Sequence, residues 1–144
     1  MDDIKAIHGL VAGQFKSLTW TAGVDGDWSG FEADFVNGAQ LFPAARPVQR
    51  QTVDEFVQRM QGLRKTSLKS LNERLLGMHV RVFGNVAIAM VGCELTENDD
   101  HVNRGAEALL LVKSDGIWRI AAQAWDMEGE ANKLPEELAS SGTE

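Results

Sequence analysis

The hydrophobic period of this chain changes once, and that change limits what it can fold into. Over residues 4–63 the apolar residues recur at steps of three and four, the spacing of one helix face. From about Asn72 to Asp126 the step is two, the spacing of strands. Leu76, Met78, Val80 and Val82 alternate with Gly77, His79, Arg81 and Phe83, and Gly84-Asn85 offers a tight turn into Val86–Thr96. A polar stretch, Glu97–Asn103, leads to Arg104–Lys113, and Asp115-Gly116 turns the chain into Ile117–Asp126. Strands joined by short turns pair antiparallel, because parallel neighbours need a long crossover. The expected class is therefore α+β: helices first, then an antiparallel meander curled around an apolar interior.

The helical part divides into three. Ile4, Ile7, Val11, Phe15 and Leu18 form one stripe over residues 4–18, with Asp2 or Asp3 placed to cap it. A loop rich in Gly and Asp (Thr21–Gly30) precedes a short helix around Trp28–Val36, with Phe31 and Phe35 at i,i+4. Ala39–Phe42 then reads as a short strand stopped by Pro43. Thr52-Val53-Asp54-Glu55 is a capping box opening a third helix, whose stripe is Val53, Phe56, Val57, Met60 and Leu63. Residues 1–128 make one domain, and 129–144 an acidic C-terminal tail with a helical turn at Pro135–Leu138 and a frayed end.

Composition excludes several classes. The net charge of −7, from 21 acidic and 14 basic residues, opposes a broad nucleic-acid or anionic-membrane surface. The basic stretch Arg59–Lys69 reads as favourable charge near a helix C-terminus. Cys93 is the sole cysteine, so neither an intrachain disulfide nor a cysteine-rich metal site can form. No signal-peptide pattern and no apolar run of about 20 residues is present, which points to the cytoplasm.

An antiparallel sheet with one wet face should alternate apolar and polar residues. Val86–Cys93 is instead apolar on both parities, as is much of Ala108–Val112 and Ile117–Trp125. Helices cover one face. A second copy of the chain is the simplest cover for the other, the alternative being strong curl plus the tail.

Four stretches, in order and at their spacing, resemble a known superfamily. They are Gly26-Asp27-Trp28, Phe31-Glu32-Ala33-Asp34-Phe35, Phe83-Gly84-Asn85-Val86-Ala87 and Lys113-Ser114-Asp115-Gly116-Ile117-Trp118-Arg119-Ile120. Over about residues 3–128 the chain resembles the nuclear transport factor 2-like superfamily, in particular its small bacterial members related to ketosteroid isomerase and SnoaL-like cyclases. The resemblance implies a cystatin-like α+β barrel: a cone-shaped, strongly curved antiparallel sheet wrapped around N-terminal helices, enclosing an apolar pocket. It also implies a homodimer through the sheet. Members include enzymes, binders and interaction modules, so the fold does not select the function.

Motifs that name a reaction are missing. Asp25-Gly26-Asp27-Trp28-Ser29-Gly30 matches the start of a calcium loop, but the closing glutamate is replaced by Val36, so a turn feeding a capped helix is the better reading. Asp99-Asp100-His101 reads as a solvated loop, because adjacent side chains rarely converge on one ion. Isomerase chemistry needs a tyrosine and a base before the proline; the chain has no tyrosine, and Leu41-Phe42-Pro43 carries no acid. His8 falls off the first stripe, and His79 shares parity with Arg81, the outer face. Asp34, Asp126 and Glu107 remain as acids; the plain reading pairs Glu107 with Arg104 or Arg119.

No catalytic residue, metal ligand or cofactor is assigned. The aromatic set carries the reading instead: Trp20, Trp28, Phe31, Phe35, Phe56 and Trp118, with Met60 and Met78, are expected to line a pocket for a small hydrophobic molecule. Gln123 and Asp126 are the candidate polar contacts on the last strand, where either parity can face inward, leaving Trp118 and Trp125 interchangeable. Two functions stand: a small-molecule pocket protein, with or without weak lyase, isomerase or hydrolase activity, and a non-catalytic dimeric interaction module.

Overall fold

A computed structural model describes residues 2–140. Helix α1 spans Asp3–Leu18, and the Asp2 carboxylate accepts from the backbone N–H groups of Ile4 and Lys5, satisfying two donors the first turn leaves open. Helix α2 is short, Trp28–Ala33, with Asp27 as its cap. Strand β1 follows at Phe35–Phe42, earlier than the sequence pattern indicates. Phe35 therefore opens a strand instead of closing a helix, and still meets Phe31 ring to ring at 5.0 Å. The two-residue strand β2 (Gln51–Thr52) leads into α3, Val53–Leu63, through the expected capping box. Four long strands follow: β3 Leu71–Phe83, β4 Val86–Glu97, β5 His101–Ser114 and β6 Ile117–Met127. The β4–β5 loop is only three residues, with Asn98 and Asp99 at positive φ, so the pairing extends further than the polar stretch indicates.

Among the described residues six strands form one sheet in the order β2-β1-β6-β5-β4-β3. The meander is antiparallel as expected, but β1 lies parallel to β6, so the sheet is mixed; it is also not closed. Helices α1–α3 cover its inner face, where Ile7, Val11, Phe15, Leu41, Val91, Leu111 and Ile120 make a dry core. No helix among the described residues is long and apolar enough to cross a membrane.

Two irregularities decide which side chains point inward. On β3 the register against β4 shifts between Leu75 and Met78; on β6 the register against β5 shifts so that Ile120 opposes Leu111 while Ala122 opposes Leu110. Each inserts one extra residue, and an extra residue reverses the parity of everything beyond it. On β6, Trp118 and Ile120 face the core before the bulge, and Gln123 and Trp125 face inward after it. Both parities of the last strand are thus used, one at each end.

The chain end is packed where it is described. Helix α4, Glu136–Ala139, sets the buried Leu138 on the outer face of the sheet. Gly77 and Gly92 admit it, because a Cβ on either would collide with the α4 backbone. Residues 141–144, within the end expected to fray, lie outside the described residues.

Candidate functional site

Where the bulges turn the strands, the inner face changes from aliphatic to polar. Glu107 on β5 lies opposite Trp125 on β6 and opposite Val91 on β4, all three facing the interior. Gln123 is its diagonal neighbour across β6, and Cys93 its diagonal neighbour across β4. Helix α1 contributes Gln14, fully buried on the stripe that includes Ile7, Val11 and Leu18. The β3 bulge brings Glu73 to the same side.

These groups are joined in a chain. Gln14 Nε2 donates to Gln123 Oε1 at 2.8 Å, and Gln123 Nε2 donates back to Gln14 Oε1 at 3.2 Å. Gln123 Nε2 also donates to Glu107 Oε1. The Cys93 thiol lies 3.9 Å from Glu107 Oε2 and 3.6 Å from the Gly105 carbonyl. Glu73 stands apart. Its side chain is only partly covered, yet Oε1 is withdrawn from solvent and has no hydrogen-bond partner among the described residues.

Burial pushes the Glu107 carboxyl up to about 7, against the opposing pull of the Gln123 amide and the Cys93 thiol. Burial, and then the charge of Glu107, lift Glu73 well above the ordinary carboxylate range. The Cys93 thiol is held protonated by burial and by both neighbouring carboxyls, so it behaves as a packing group and a weak donor. The charge of Glu107 thus opposes ionisation of Glu73, and the pair resists carrying two negative charges at once.

The polar cluster borders a cavity of about 190 Å3 between α3 and the lower half of the sheet. Phe31, Leu41, Phe56, Met60, Leu95 and Trp125 make its apolar wall; Glu73, Glu107, Gln14 and Gln123 its polar part. Phe31 and Phe56 stack at 5.3 Å, and Trp125 meets Phe56 edge-on at 5.6 Å. Arg59, on the exposed side of α3, lies over the Phe56 ring at 5.3 Å. Of the residues expected from sequence, the structure brings Phe31, Phe56, Met60 and Gln123 to this cavity. Trp20, Trp28, Phe35, Met78 and Trp118 are buried in the surrounding core and do not line it. Trp118 instead donates to Asp3 at 3.0 Å, fastening β6 to α1. Asp126 is exposed, because the parity that turns Gln123 and Trp125 inward turns it out.

Other charged candidates have local roles. Glu107 does not pair with Arg104 or Arg119: Arg104 shares the parity of exposed Ala108, and Arg119 the outward parity of β6 before the bulge. Asp25 accepts from Trp28 Nε1 at 3.0 Å and Asp27 caps α2, so both serve the turn. Asp34 at the end of α2 is raised to about 6 by burial and then by Asp27, but it is not in the cavity wall. His79 is exposed on the outer face. Among the described residues no group of three or more His, Cys, Asp or Glu is arranged to hold a metal ion.

Sequence reasoning passed over Gln14 and Glu73 as cavity residues. Gln14 occupies a stripe position in the series 7, 11, 14, 18, and a polar residue there is itself a signal. Glu73 belongs to the series Leu71, Glu73, Leu75, out of phase with Met78 and Val80; the adjacent pair Leu75-Leu76 marks the slip. Of the two interchangeable candidates Trp118 and Trp125, the β6 bulge turns Trp125 to the cavity.

No family model matches the chain, and no curated protein matches it by sequence. Solved structures do. A protein of unknown function from Pseudomonas putida, described as nuclear transport factor 2-like, superposes with a TM-score of 0.70 at 15% identity, covering 94% of this chain and 96% of that one. A protein of unknown function from Nostoc punctiforme with a cystatin-like fold gives 0.69 at 14% identity, covering 89% and 92%. The chain has the cystatin-like, nuclear transport factor 2-like fold. A third structure, from Novosphingobium aromaticivorans and named as a candidate scytalone dehydratase, gives 0.71 at 11% identity, covering 99% and 94%. Identities this low establish the shared fold and leave the chemistry to the site.

Proposed function

We propose that the protein binds a small, mainly apolar organic molecule in the cavity between α3 and the sheet, and works as a homodimer through the outer sheet face. The observation that carries the binding reading is the cavity itself. Its wall joins stacked aromatic rings to a buried, hydrogen-bonded set of carboxyls and amides, the combination that holds an apolar body and fixes a polar end. A cone built only for stability would fill that space with side chains, because voids and buried carboxyls both cost free energy.

The dimer is supported by the outer face, where Ile88, Met90 and Leu110 are 59%, 44% and 46% exposed beside Ala108 and Ala124. Contiguous apolar surface of this kind marks an association site.

Thermal-shift measurements with a panel of neutral and amphiphilic aromatic molecules test the binding reading. A ligand held by the folded state raises the melting temperature. The same compounds should give no rise in Leu95→Trp, whose larger side chain enters the cavity. A panel that leaves the wild-type melting temperature unchanged, or shifts both proteins alike, removes the cavity as the site.

A further inference from the structure

The geometry points to a ligand class for this cavity: an organic amine carrying an apolar, preferably aromatic, body, its ammonium group seated between Glu73 and Glu107. This deepens the binding reading given above and rests on it. Three observations converge on a cation.

The first is an unbalanced charge. The cavity wall contains Glu73 from β3, Glu97 from β4 and Glu107 from β5, against one guanidinium, Arg59 from α3. Arg59 is engaged elsewhere: its guanidinium lies over the Phe56 ring, and burial there disfavours its charge. The remaining titratable group nearby is the Cys93 thiol of β4, which stays neutral. Gln14 from α1 and Gln123 from β6 bring dipoles but no charge. Among the described residues neither Glu73 nor Glu107 forms an ion pair.

The second is an unmet acceptor. Glu107 spends its oxygens on Gln123 and Cys93, whereas Glu73 Oε1 is sealed from solvent with no donor among the described residues. A buried carboxyl oxygen without a donor loses its hydration and gains nothing in return. An ammonium group carries three donors and one positive charge, and so meets both deficits together.

The third is the wall opposite. Phe31, Phe56 and Trp125 contact one another in series and present ring faces and edges to the cavity. Aromatic faces attract cations and also take the apolar body of such a ligand. An alcohol would use the same hydrogen bonds but leave the charge unanswered. A carboxylate would be repelled by both glutamates.

Titration against benzylamine, benzyl alcohol and benzoate separates these possibilities, since the three share one ring and differ in head-group charge. At pH 8 the amine should bind at least about tenfold more tightly than the alcohol, and benzoate should not bind. Benzylamine keeps its charge across this range, whereas the carboxyls must lose a proton to receive it. Its affinity should therefore fall about tenfold or more from pH 8 to pH 6. Glu73→Gln and Glu107→Gln, checked for a cooperative melt, should each reduce the preference for amine over alcohol to within about threefold. The wild-type pH series stands as the test should a variant fail to fold. Alcohol binding as well as amine, or a preference that survives in both variants, overturns the amine assignment while leaving a ligand cavity in place. If none of the three binds, both the assignment and the binding reading fall.

Discussion

Glu107 is a residue whose environment runs against what its type prefers. It sits 6% exposed in an apolar strand, receives the Gln123 amide, and has its pKa raised from 4.5 to about 7. A carboxyl raised on folding binds its proton more tightly in the native state. Its ionisation therefore lowers stability as pH rises through the window between those two values, and the loss is complete above the upper one. Glu107→Gln keeps an acceptor for Gln123 and removes the charge. It should stabilise the protein at pH 8 by on the order of 3 kcal/mol and have little effect at pH 4. Urea denaturation at the two pH values measures this, and equal effects at both would deny that Glu107 is held against its preferred ionisation. Sequence identified Glu107 as an oddity in an apolar strand but supplied an arginine partner that the pleat turns away. Periodicity assigns a face, and it cannot see that the face contains another polar side chain from a helix about a hundred residues earlier.

Elements were legible where periodicity was long and caps were explicit. The Asp2 cap of α1, the capping box of α3 and the four long strands all follow from local chemistry. The parallel β1–β6 pair and the two-residue β2 were not, because pairing between distant segments leaves no mark in either segment alone. The helical turn expected at Pro135–Leu138 is α4, but its docking was not legible, because it depends on two glycines in other strands. Gly92→Ala should force the Leu138 backbone away and destabilise the protein by about 1–3 kcal/mol. Gly62→Ala, in an open helical position, should be neutral or slightly stabilising. Thermal melts of the pair, with hydrogen exchange on residues 136–139, decide it. Retained protection of α4 in Gly92→Ala would mean that the close approach is not what seats the helix.

For the whole molecule, the two faces of the sheet divide the work. The inner face carries core and cavity, and the outer face carries α4 beside an exposed apolar area around Ile88, Met90 and Leu110. Ile88→Lys combined with Leu110→Lys changes only exposed side chains, so the fold should persist while association is lost. Sedimentation at micromolar concentration should show a dimer for the wild type and a monomer for the double variant. A monomeric wild type would leave the outer face without this role. The strand bulges carry a separate consequence for how such a site varies. Beyond the extra residue in β6, odd positions look inward. Deleting Ala121 would remove that extra residue and leave Gln123 and Trp125 opposite Leu109 and Glu107, still facing in, whereas deleting Ala124 would send Trp125 out to water and rotate Asp126 in. One codon lost would thus be absorbed at the bulge, yet three residues later it would change the cavity wall, with no side chain chemically altered. The identity of this cavity is stored in a residue count as much as in the residues themselves.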